Sequence, residues 1–209
     1  MNFIPERFGD PRTKRAANSS RHQILGDVLV TATAAITAGR LANLRVRTLA
    51  KVAGCSVGSI LGVFPDLDAL TLAVNARTLG EIDRTMAAAG DDDPAEHLVR
   101  LSRAYLDYAS EHRHRWAALF HHTMPEGQTA PTWYTAQQAA SFSHLEAPPA
   151  RLRADLAPAD GAMLARTLFS AVHGMVALGL DEKVAVLPSP VLINQVESMV
   201  RAIARGLAA

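Results

Sequence analysis

A single cysteine, Cys55, occurs among the 209 residues, so no disulfide can form within the chain, which fits a reducing compartment. No stretch of about 18 unbroken apolar residues is present, and no basic-then-apolar leader opens the sequence. Neither a membrane span nor a secretory signal is therefore expected, and the expected location is the cytoplasm. GxSxG, HExxH, P-loop and paired-glycine fingerprints are all missing, which leaves an enzyme reading without an anchor. Of the eight histidines, His112, His114, His121 and His122 cluster at spacings of two, seven and one. Helical chelation wants an i, i+4 pair on one face, so no metal site and no cofactor are expected. Internal repeats and low-complexity tracts are lacking as well.

What the chain has is apolar content close to half, with alanine prominent, in a length sufficient to bury a substantial core. The periodicity reads as about nine helices and an all-α fold. A first helix is expected over Gln23 to Ala38, and Asp66 to Ala88 reads as one long helix through Leu70, Val74, Leu79, Ile82 and Met86. Asp92 or Asp93 followed by Pro94 marks the start of a helix carrying Leu98, Leu101, Tyr105 and Tyr108. Arg113 to His122 and Trp133 to Leu145 follow, with Pro148 and Pro149 read as a connection. Residues 159–180 are apolar on nearly every side, which predicts burial, and Ser189 with Pro190 opens a last helix striped by Leu192, Val196, Met199 and Ile203.

The most informative segment is Leu41 to Leu70. Val46, Leu49, Ala50 and Ala53 recur on one helical face, and Gly54 follows where a left-handed terminus suits glycine. Ser56 then offers an oxygen to the free N–H groups of a second short helix, whose Ile60 and Phe64 repeat on an inward face. Two short helices around a glycine turn make a helix-turn-helix, the motif that sets its second helix in a DNA major groove.

With Ile24, Val28, Ala35 and Gly39 upstream, residues of about 20 to 70 resemble the DNA-binding domain of the TetR family. AVHGMVALGL, residues 171–180, resembles the His-Gly helix of the TetR subfamily whose C-terminal domain is called WHG-type, with Phe169 standing where that subfamily usually has Trp. The resemblance implies three regions: a basic N-terminal arm (1–19), a helix-turn-helix domain (20–66) and a ligand-binding and dimerisation domain (67–209).

Charge is distributed to match. Residues 1–60 hold nine Lys or Arg against three Asp or Glu, a balance of +6, and residues 61–209 hold twelve against seventeen, a balance of −5. Phosphate neutralisation is the main source of nonspecific DNA affinity, so the DNA footprint belongs to the first region. Arg12, Lys14, Arg15 and Arg21 read either as a groove-entering arm or as a disordered tail.

The TetR pattern brings polar contact groups after the cap of the recognition helix, in its middle, before its Phe and at the start of the next helix. This chain has Val57, Leu61, Val63 and Leu67 there. The remaining DNA-contact candidates are Arg45, Arg47, Lys51, Ser56, Val57, Gly58, Ser59, Leu61 and Gly62, with the cap of the second helix passing from Arg45 to Asn43.

For the C-terminal domain the resemblance implies a small-molecule sensor. Trp116, Phe120, His121, Met124, Trp133, Tyr134, Phe169 and His173 are the candidates to line its pocket, because bulky amphipathic groups on facing helices make apolar sites with a few polar handles. The resemblance further implies a homodimer formed through residues 159–180 and 190–207, spacing two recognition helices about one DNA turn apart. The expected function is a repressor released from a double-stranded operator by an unidentified apolar or aromatic effector. The alternative is a dimeric small-molecule-binding protein of the same fold whose specific DNA binding is weakened or lost.

Overall fold

The computed structural model describes residues 11–39, 41–90, 93–184 and 187–208. Among the described residues it holds nine α-helices, a single 3-10 turn at Leu41–Asn43 and no strand. The helices are α1 Pro11–Thr37, α2 Val46–Val52, α3 Val57–Leu61, α4 Leu67–Ala87, α5 Pro94–Glu111, α6 Arg113–His121, α7 Thr132–Leu152, α8 Pro158–Gly179 and α9 Ser189–Ala208. Two compact units result, Met1–Val74 and Asn75–Ala209, and the division falls inside α4.

In the first unit α1, α2 and α3 pack on one another. Val28, Ala32 and Ile36 sit at successive i, i+4 positions and are wholly buried, so α1 supplies one continuous apolar stripe. Leu49, Ala50, Ile60 and Phe64 are the buried groups of the helix-turn-helix. α1 begins at Pro11, well before the expected Gln23. Proline suits a first helical position, and the Arg, Lys and Ala that follow are good helix formers. The backbones of Arg12, Lys14, Arg15 and Arg21 consequently belong to α1 and not to an arm preceding it. Their side chains, and residues 1–10, lie outside the described residues.

In the second unit α5 is the hub, packed against α9, α7, α6 and α8. Its start is fixed by Asp93, whose carboxylate accepts the Glu96 N–H at 3.1 Å, with Pro94 in the first turn. Asp92 lies outside the described residues. Leu98, Leu101, Tyr105 and Tyr108 are buried, as the periodicity predicts. α9 contributes Leu192, Val196, Val200 and Ala204. Helix α8 approaches α9 so closely at Gly179 that a Cβ there would stand 2.6 Å from Leu192 Cδ1.

Two expectations are corrected. Pro148 and Pro149 do not mark a connection: α7 runs through them to Leu152. Each forfeits a backbone hydrogen bond, yet both rings are buried and only the last turn is affected, so packing outweighs the loss. Nor is α8 buried all round. It is long and apolar enough by length and composition to cross a membrane, with mean hydropathy 1.3 over 18 residues, but only 22% of that window is buried. Gly161, Ala165, Val172, Val176 and Gly179 face inward, while Met163 (60% exposed) and Leu178 (59%) face out. Within one chain α5, α7 and α9 cover a single side of the helix.

Candidate DNA-contact surface and ligand cavity

The helix-turn-helix is fixed by local hydrogen bonds. Gly54 has φ +67°, the left-handed conformation that costs an L-residue about 1–2 kcal/mol and glycine nothing comparable. Across it the Cys55 N–H reaches back to Ala50 O at 3.0 Å and the Ala53 N–H to Leu49 O at 2.8 Å, closing α2 in the manner of a Schellman motif. Ser56 is the N-cap of α3, its Oγ accepting the Ser59 N–H at 3.0 Å and lying 2.8 Å from Ser59 Oγ. The next helix is capped the same way, Asp66 Oδ1 accepting the Ala69 N–H at 2.7 Å.

The structure places the DNA-contact candidates as follows. Arg45 occupies the N-cap position of α2 without a side-chain cap bond; its Nη1 donates instead to the carbonyls of Leu44 (2.8 Å) and Ala42 (3.3 Å). The expected role of the Asn43 side chain lies outside the described residues. Arg47 in the first turn of α2 and Lys51 in its last are exposed. On α3, Ile60 turns inward at 1% exposure, whereas Val57 (36%) and Leu61 (45%) point to solvent one turn apart. Gly58 and Gly62 are exposed, and Ser59 is half-buried. Val63 and Leu67 are half-buried, so these two aliphatic replacements pack partly into the unit while Val57 and Leu61 do not.

Two apolar cavities lie inside the second unit. One, of about 40 Å³, is walled by α5, α8 and α9 through groups such as Leu101, Val172 and Val200. The other, of about 110 Å³, is walled by α4, α6 and α7 through Leu79, Phe120, Tyr134 and Phe142. Met86, Tyr105, Leu145 and Phe169 belong to both. No charged side chain lines either one; the polar groups are Ser102, Tyr105, Tyr134, Gln138 and Ser141. For comparison, an apolar cavity of about 150 Å³ takes benzene.

Among the ligand candidates, Phe120, Tyr134 and Phe169 line a cavity, and Trp116 and His173 stand behind the Tyr105 wall. Ring centroids put His173 4.2 Å from Phe120, 5.3 Å from Trp116 and 5.7 Å from Phe169. His121 is exposed, Met124 lies in the loop after α6, and Trp133 is half-exposed against Tyr134; none of the three lines either cavity. The sequence reading passed over Met86, Tyr105, Leu145 and Phe142, whose helical spacing reads only as core.

Proton positions follow from the donors. Trp116 Nε1–H can only donate, and it points at Tyr105 Oη at 2.8 Å. Tyr105 Oη also lies 2.8 Å from His173 Nδ1, and the neutral ring with its proton on Nε2 is the tautomer that lets Tyr105 donate there. Burial drives the Tyr105 phenol well above its ordinary value and holds His173 below its own. A second network ties α4 to α5 and α6. Arg115 and the Tyr108 hydroxyl both donate to Glu81 Oε2. Burial alone would raise the Glu81 carboxyl, but these hydrogen bonds and the Arg115 charge hold it below the usual range. Asn75 Nδ2 adds a bond to Ala118 O at 3.2 Å.

The model of the tetracyclin repressor-like C-terminal domain matches residues 98–203. No curated protein matches the chain in sequence. A protein of unknown function from Rhodococcus sp. RHA1 shares its fold with TM-score 0.72 at 20% identity, over 99% of this chain and 100% of that one. A TetR-family transcriptional regulator from Streptomyces coelicolor follows at 0.63 and 18%, over 90% and 83%. A TetR-like transcriptional regulator from Rhodococcus sp. RHA1 matches at 0.59 and 21%, over 90% and 96%. At such identities the structural likeness establishes the fold; the WHG-type subdivision remains a resemblance of residues 171–180 with Phe169. Because the sequence match spans half the chain and the helical architecture agrees throughout, the chain belongs to the TetR family.

Proposed function

We propose that the protein is a dimeric repressor that binds double-stranded DNA through its helix-turn-helix and is released by a neutral apolar or aromatic effector. The observation that carries this reading is the turn at Gly54, which caps α2, starts α3 and leaves Val57 and Leu61 in solvent together with the exposed cations Arg47 and Lys51 of α2. Cations on the element that precedes a recognition helix supply the phosphate attraction, and α3 enters the groove.

Dimerisation is assigned to residues 159–180 and 190–207. Met163 and Leu178 of α8 and Val191 of α9 are exposed apolar groups, and a second copy would cover them. The effector site is assigned to the two cavities. Each is too small for an effector, since drug-sized ligands occupy roughly 300 Å³ or more. Entry of such a ligand therefore requires displacement of groups that wall both spaces, Met86, Tyr105, Leu145 and Phe169. A ligand that prefers the joined state weakens DNA binding by the size of that preference and no more.

The test is binding of the purified protein to DNA flanking its own coding region over a salt series. A repressor shows specific binding that falls steeply with salt, and Arg47→Ala lowers both the affinity and, by about one, the slope of log affinity against log salt. The second reading, a ligand-binding dimer without specific operator binding, is favoured by the aliphatic Val57, Leu61, Val63 and Leu67. It predicts affinity no greater than for random DNA at every salt concentration.

A further inference from the structure

We infer that Val57 and Leu61 make α3 a reader of thymine 5-methyl groups, so that the DNA site is specified by thymines and not by hydrogen-bonded bases. The inference rests on the DNA-binding reading above and names what that surface recognises. Direct readout in the major groove normally uses Arg, Lys, Asn or Gln, which grip base edges with paired hydrogen bonds. Between Ala53 and Pro65 this chain has no charged and no amide side chain. Its two hydroxyls bond each other and Ser56 Oγ also accepts the Ser59 N–H, which leaves a single hydroxyl proton between them. Ile60 faces the core. What α3 offers outward is Val57, Leu61 and the bare backbone of Gly58 and Gly62.

In the major groove only one base carries an apolar group, the C5-methyl of thymine. Val57 and Leu61 stand at i, i+4 and so project from one face one turn apart. Gly58 keeps that face open, since a Cβ there would meet nothing nearer than Ser56 Oγ at 3.7 Å. Two aliphatic groups left in water on α3, at the end of a 60-residue segment whose charge balance is +6, are complementary to one occupant: an anionic backbone that presents methyl groups. The cations hold the phosphates, and the aliphatic pair chooses the sequence.

The full-length protein is used to select bound duplexes from a random pool at fixed salt, and the enriched site is resynthesised with deoxyuridine for each thymidine in turn. This removes a methyl and leaves every hydrogen-bonding edge and phosphate in place. The expected loss is about fourfold in affinity for each methyl that is contacted. Val57→Ala and Leu61→Ala are expected to lower affinity for the thymine site and to shrink its advantage over the deoxyuridine site, with melting unchanged because both groups are exposed. Equal affinity for the two sites, with selection still enriching a sequence, overturns the inference and leaves DNA binding standing. If no sequence is enriched, the DNA-binding reading falls and this inference falls with it.

Discussion

The two units place their distinctive side chains on opposite sides of the surface. In the first unit the groups of interest are outside: Val57, Leu61, Arg47 and Lys51 contribute little to packing, and the unit is shaped by a glycine turn, a serine cap and a small core. In the second they are inside. Tyr105, Trp116, Phe169 and His173 form a connected set of rings and hydrogen bonds, of which Tyr105 and Phe169 wall two cavities, and the same residues hold the helices together. A surface site tolerates substitution without loss of the fold. An interior site ties recognition to stability.

The sharpest way to break this contrast is to make one substitution in both places. Leu101 on α5 is 1% exposed and walls a cavity, so Leu101→Ala is expected to cost about 2–5 kcal/mol by urea denaturation. Leu61→Ala, the same chemical change at 45% exposure, is expected to stay within about 0.5 kcal/mol of the parent. Comparable losses at the two sites would mean that Leu61 is packed in solution and that the surface character of the first unit is wrong.

Next in size is the ion pair of the second unit. Arg115→Ala leaves the Glu81 carboxylate with the Tyr108 hydroxyl, and because both partners are part-buried a loss of about 2 kcal/mol is expected, as for a hydrogen bond to a charged group. The sign with pH is fixed by the depressed Glu81 carboxyl. Its stabilisation is present above the ordinary value of 4.5 and is lost as pH falls below it. Denaturation at pH 7 and pH 4 should therefore separate parent from Arg115→Ala widely at the higher pH and less at the lower.

Smaller again is the cap. Ser56→Ala removes the oxygen that accepts the Ser59 N–H and is expected to cost about 1 kcal/mol, measurable by amide hydrogen exchange in α3. Ser56→Asp keeps an acceptor and should restore most of the protection. Failure of Asp to rescue would show that the hydroxyl pair with Ser59, and not the cap, holds the helix start.

These contrasts also show why the sequence was legible in one unit and opaque in the other. Gly54, Ser56 and the inward Ile60 and Phe64 are local signals: a left-handed turn, a cap and a period, each decided within a few residues. The cavities are non-local. Met86, Tyr105, Leu145 and Phe169 come from four helices, and each looks like ordinary core until the helices meet. Trp133 lines neither cavity for the converse reason, since a bulky aromatic at a helix start is as readily left half in water. The prolines of α7 and the outer side of α8 escaped because both depend on what packs against a helix, which its own sequence does not state.

The smallest expected effect tests the interior network itself. His173 is neutral in the folded protein, accepting the Tyr105 proton at Nδ1, and burial holds its pKa below the ordinary 6.5. The unfolded chain then binds more protons than the folded one as pH drops through 6.5, so stability is full above that value and declines below it. Because His173 is only half-buried, water screens much of the cost and the decline is shallow. His173→Gln keeps an acceptor within reach of Tyr105 and removes the titration, so its melting temperature should lose the part of the parent's pH dependence that lies just below 6.5. Tyr105→Phe removes the hydroxyl and leaves the surrounding rings, so its acid branch should persist; it flattens only if the hydrogen bond, and not burial, keeps His173 neutral. An unchanged acid branch in Tyr105→Phe together with a flattened one in His173→Gln assigns the neutral state to burial, which is the cause the structure gives for the depressed pKa.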